Sequence, residues 1–131
     1  MSWKFWIKNI KLRFQYWRNQ NSGKPIYWKV FDQKNRQNGK TTLVIRDALK
    51  HGYPIVVEDR MSKIFLSRRV QDIIGPKKKV EDTVVIVTPD SILIDSYLRS
   101  GTKVLLDCGT KGFLMARTHH WKIVNGFVKQ D

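Results

Sequence analysis

Short apolar runs alternate with longer amphipathic stretches along most of the chain. Ile26–Phe31 (IYWKVF), Pro54–Val57, Thr83–Val87 (TVVIV) and Lys103–Leu106 (KVLL, closed by Asp107) are each compact, apolar and rich in β-branched residues. These are the marks of strands buried on both faces. Trp121–Val128 reads as a last strand, bent at Asn125-Gly126. Between the runs the spacing becomes helical. Thr41–His51 carries Leu43, Val44, Ile45, Ala48 and Leu49, with Gly52 placed to cap its end. Asp59 stands where a cap should open a helix over Arg60–Ile74, which Gly75-Pro76 ends. Thr88-Pro89 opens a third over Pro89–Ser100, and Thr110–Arg117 suits a short fourth. Strands alternating with helices predict an α/β fold: a mainly parallel sheet of about five strands with flanking helices. Such sheets bind ligands outside the carboxyl ends of their strands.

The first residues follow a different pattern. On a helix, Trp3, Trp6, Ile7, Ile10, Phe14 and Trp17 fall within an arc of about 100°, with Lys4, Lys8, Lys11, Gln15 and Arg18 on the adjoining face. A Trp-rich face beside a basic one suits an anionic membrane surface, a partner protein or the protein's own core. Ile10, Leu12, Phe14 and Tyr16 also alternate with polar residues, which leaves a strand open. Asn19–Pro25 is polar and turn-rich. Residues 1–24 are therefore read as an amphipathic element with its linker, and 25–131 as the α/β domain.

Composition narrows the partners. The chain has 131 residues, enough for one domain with a real core. Its 25 Lys and Arg against 11 Asp and Glu give a net charge of +14, which favours polyanionic partners: nucleic acid, anionic lipid, or a virus- or ribosome-like assembly. Arg68, Arg69, Lys77, Lys78 and Lys79 are the candidates for contacting a phosphate backbone. A single cysteine, Cys108, excludes an intrachain disulfide and any zinc site of the CxxC type. No apolar run approaches the ~18 residues of a spanning helix, and lysines interrupt every apolar stretch that a signal peptide would need. A cytoplasmic location is expected, with attachment to a membrane surface or a virion as further settings. His119-His120 is an adjacent pair without convergent ligands and reads as a surface turn.

The candidate chemistry lies in Asn38-Gly39-Lys40-Thr41-Thr42, between the first strand and the first helix of the domain. Backbone N–H groups at a helix start hold phosphate oxygens, a lysine there reaches the outer phosphates, and a threonine hydroxyl suits Mg²⁺. The full phosphate-loop signature also places a glycine at position 34, which is Lys34 here.

With Gly39-Lys40-Thr41-Thr42 after a strand and Lys103-Val104-Leu105-Leu106-Asp107 as an apolar strand ending in an acid, the chain resembles the P-loop NTPase superfamily over roughly residues 26 to 128. Its order of elements is similar to that of small members encoded by viruses and phages. The resemblance implies that ATP or GTP binds with Mg²⁺, that Lys40 contacts the β- and γ-phosphates, that the Thr41 hydroxyl ligates the metal, and that Asp107 binds it, usually through water. Cys108 stands where hydrolysing members often carry a glutamate, so the resemblance implies weak or lost turnover. The alternative expectation is a non-enzymatic basic protein, structural or adaptor, that keeps the fold with a degenerate loop.

Overall fold

The computed structural model describes residues 3–29, 39–90 and 98–130, with side chains from residue 10 onward. Five strands form one all-parallel sheet: β1 (Ile26–Lys29), β2 (Ile55–Val57), β3 (Ile86–Val87), β4 (Lys103–Cys108) and β5 (Lys122–Gln130). Their order across the sheet is β1-β5-β4-β2-β3. Among the described residues the helices are α1 (Trp3–Arg18), α2 (Lys40–His51), α3 (Arg60–Ile74) and α4 (Thr110–Thr118). None of them is long and apolar enough to cross a membrane.

Side-chain alternation sorts the core into two layers. Ile55, Val57, Leu105 and Phe127 point to one face, where they meet Tyr16 of α1, Val44, Ile45 and Ala48 of α2, and Leu66 and Val70 of α3. Val56, Val104, Leu106, Cys108 and Val128 point to the other, against Met115 and Ala116 of α4. The same period of two puts Asp107 on the Leu105 side, facing α2.

Several boundaries follow the local chemistry. Gly52 caps α2 in the left-handed conformation, φ 75°, donating its N–H to Ala48 O. Asp59 caps α3 by accepting from Ser62 N–H at 2.8 Å, and α3 covers the expected span. The bend expected at Asn125-Gly126 is a bulge. The β4–β5 register passes from Val104↔Ile123 to Leu105↔Asn125, so Val124 is the extra residue. It leaves Val124 and Asn125 both turned toward α1 and α2. Gly126, at φ 130°, lies so close to Leu106 that a Cβ there would overlap its backbone.

Two expectations change. The strand expected over Thr83–Val87 is only Ile86–Val87, because Thr83 is drawn into a 3₁₀ turn over Val80–Asp82, with its N–H and hydroxyl both donating to Val80 O. For the helix expected over Pro89–Ser100, Pro89 and Asp90 form a turn and Leu98–Ser100 are not helical, while 91–97 lie outside the described residues. The first residues form a helix rather than a strand.

Candidate functional site

The strand order determines where a ligand would sit. β2 and β4 are neighbours, yet β2 leads into α3 on one face of the sheet and β4 into α4 on the other. Adjacent parallel strands whose connections part in this way open a crevice beyond their carboxyl ends. A cavity of about 1030 Å³ lies there, extending to the start of α2.

Gly39 adopts the left-handed conformation, φ 81°, and turns the chain into α2, whose first intrahelical bond runs from Leu43 N–H to Gly39 O at 2.9 Å. The N–H groups of that first turn project from the helix end, where helical geometry gives them no intrahelical partner. The end carries partial positive charge, and no acidic residue stands in the first turn to complement it. The ammonium of Lys40 lies over the Trp28 ring, 4.3 Å from its centre. Thr41 donates its hydroxyl to Asp107 Oδ2 at 3.2 Å, joining the start of α2 to the end of β4 across 66 residues of sequence. Burial holds the Asp107 carboxyl above its ordinary range, opposed by the Thr41 bond and the nearby Lys40 charge.

Gly39, Lys40, Thr41, Thr42 and Asp107 thus line one cavity. Asn38 lies outside the described residues. Arg69 belongs with this group, since its guanidinium donates to Thr42 Oγ1 at 3.0 Å. Arg68 is exposed and does not line the cavity, and Lys77, Lys78 and Lys79 are exposed beyond the far end of α3. Of the apolar stripe of α1, Ile10, Phe14 and Trp17 do not line the cavity, and Phe14 and Trp17 are exposed. His119 stacks on Trp121, with ring centres 5.0 Å apart. Cys108 is buried, and burial pushes its thiol up, away from the thiolate that nucleophilic chemistry needs.

Sequence reasoning missed Glu58. It follows Val57 at the end of β2 and lines the cavity with Asp107. Its Oε1 accepts from Gly112 N–H at 2.6 Å, supplying to the first turn of α4 the cap that Gly109 cannot. The signal was present, because Pro54-Ile55-Val56-Val57-Glu58 is an apolar strand closed by an acid, like the run ending at Asp107.

A hydroxyl and a carboxylate are hard oxygen donors of the kind that Mg²⁺ takes, and Mg²⁺ sites commonly need only one or two carboxylates because phosphates and water complete the shell. Thr41 and Asp107 fit that requirement. Compared with protein-family models, curated proteins and solved structures, the chain matches none.

Proposed function

We propose that the cavity at the start of α2 binds a nucleoside triphosphate with Mg²⁺, and that the protein is a small P-loop NTPase-like domain with weak or no turnover. The Thr41–Asp107 hydrogen bond carries this reading, because it joins two oxygen donors beside Lys40 at the mouth of a helix N-terminus. In this reading the first-turn amides and Lys40 hold the phosphates, and Thr41 and Asp107 hold Mg²⁺, which neutralises phosphate charge. Arg69 stands ready to meet an outer phosphate oxygen. The cavity has the size of a small-molecule site, which runs to ~1,000 Å³. Weak turnover follows from two acids that are absent or engaged. Cys108 follows Asp107, and one oxygen of Glu58 is committed to α4.

Thermal unfolding with Mg-ATP and Mg-GTP tests the reading. Ligand at ~100 times its dissociation constant adds about 2.7 kcal/mol, and that stabilisation should vanish in Lys40→Ala. No shift with either nucleotide at millimolar concentration overturns it. That outcome would favour the second reading, a basic structural or adaptor protein with a degenerate loop, which Lys34 at the signature's first glycine position supports. In either reading the exposed Arg68 and Lys77–Lys79 serve a nucleic acid backbone. Binding there should weaken steeply with added salt, and salt-independent binding counts against it.

A further inference from the structure

The two long faces of α1 do different work. One is fixed to the domain. Tyr16 is 5% exposed and stacks on Phe127 with ring centres 5.6 Å apart, its hydroxyl donates to Asp47 at 2.7 Å, and Asn125 Nδ2 donates to its backbone O at 2.7 Å. Leu12 packs against the same core. This anchoring turns the opposite face outward. There Ile10, Phe14 and Trp17 form a shallow apolar depression around Arg13, with Phe14 56% and Trp17 72% exposed. Exposed Lys11 and Arg18 flank it. The sequence continues the same spacing back through Ile7, Trp6 and Trp3.

We propose that this outward face docks on an anionic lipid bilayer. Charge complementarity selects that occupant. The α1 sequence WKFWIKNIKLRFQYWR contains five basic residues and no acid, on a chain of net charge +14. A second copy laid on this face would bring Arg13, Lys11 and Arg18 against their like, with no carboxylate in either helix to answer them. A nucleic acid would satisfy the cations but leave two exposed aromatic rings and an isoleucine without use. An anionic bilayer answers both features, since indole and phenyl rings settle at the headgroup boundary while flanking Lys and Arg meet lipid phosphates. Arg13 lines both this depression and the cavity at the start of α2, so the docked protein would hold that cavity beside the membrane. The proposal does not depend on what the cavity binds.

Flotation with vesicles of phosphatidylcholine alone, or with phosphatidylglycerol added, tests it. The protein should partition onto the anionic vesicles at least about tenfold more strongly, each engaged cation contributing roughly fivefold. Phe14→Glu and Trp17→Glu should each lower that partitioning about tenfold or more at an unchanged melting temperature, because both side chains are exposed. If either variant fails to fold, brominated acyl chains supply a second readout. They should quench the tryptophan emission of the wild-type protein, and less so in Trp17→Phe. Three outcomes overturn the proposal: no binding of the wild-type protein to anionic vesicles, equal binding by the folded glutamate variants, or self-association that Trp17→Glu abolishes without any vesicle binding. The last would assign the face to a second copy.

Discussion

Asp47 and Asp107 are both inward-turned carboxylates that touch helix α2 or belong to it, and they are used in opposite ways. Asp47, in the middle of α2, accepts from the Tyr16 hydroxyl at 2.7 Å and from Gln20 Nε2 at 2.9 Å, with His51 Nε2 3.5 Å from its other oxygen. Its oxygens are answered by protein groups, and they tie α1 to the domain. Asp107, at the end of β4, accepts one side-chain hydrogen bond among the described residues, from Thr41. It faces a cavity, and burial favours its neutral form. A carboxylate saturated by its own chain serves as a fastening. One left partly answered at a strand end is where the proposed ligand would bind.

The largest effect is expected at the fastening. Asp47→Ala leaves the Tyr16 hydroxyl and the Gln20 amide without their acceptor, one of them buried, and should cost about 2–4 kcal/mol in urea unfolding. Mg-nucleotide affinity of the folded fraction should stay unchanged, because Asp47 does not line the cavity. An affinity loss matching that of a site residue would break the comparison.

Asp107→Asn should show the reverse. A carboxylate that holds Mg²⁺ through water lies in its outer shell, where substitution weakens binding about tenfold to a hundredfold. Stability should change little or rise. Since burial raises the folded-state pKa of Asp107 above its unfolded value, the folded protein holds that proton more tightly. The group's contribution therefore declines as pH rises from the ordinary carboxylate range through the raised folded value, and the full penalty stands above it. The asparagine variant should gain on the wild-type protein at neutral pH and lose that advantage in acid, read from urea midpoints across pH. The ratio of wild-type to variant affinity for Mg-nucleotide should grow with pH over the same window, as the carboxylate forms.

The asymmetry between these acids also marks what could be read from the chain. The strands of the sheet and the helices α2 and α3 were legible because each is a local matter. Compact apolar runs, Gly52 beyond a helix and Asp59 before one all act within a few residues. Thr41 and Asp107 could be named in advance because each sits in a recurring local context, although only the strand order brings them together. The tethering roles of Asp47, Asn125 and Glu58 were not foreseen, because they depend on partners distant in sequence. Tyr16 is 31 residues from Asp47, Asn19 is 106 from Asn125, and Gly112 is 54 from Glu58. A hint of Asp47 was available in an acid set beside Val44 and Ala48 on the apolar side of α2. The two faces of α1 were equally hard to rank. The conspicuous tryptophan stripe turned outward where it is described, and the quieter Leu12–Tyr16 pair made the contact.

Asp59 gives the smallest effect and the finest test, because it is a third carboxylate shifted the other way. It is exposed at the head of α3, and the Ser62 N–H that it accepts holds its pKa below the ordinary range. Asp59→Ala should cost about 1 kcal/mol near neutral pH, as loss of a helix cap does, and Asp59→Asn less, since the amide oxygen still accepts. A lowered folded pKa means stability that is present above the unfolded value and lost as pH falls through the folded one. The deficit of Asp59→Ala should therefore shrink in acid, while the advantage of Asp107→Asn shrinks over a higher range. Both residues line the cavity, so position alone does not separate them. If Asp59→Ala lowers Mg-nucleotide affinity as far as Asp107→Asn does, the contrast between a carboxylate that fastens and one that receives a ligand fails at this cleft. If only the stability curve moves, the contrast holds between two acids lining the same cavity.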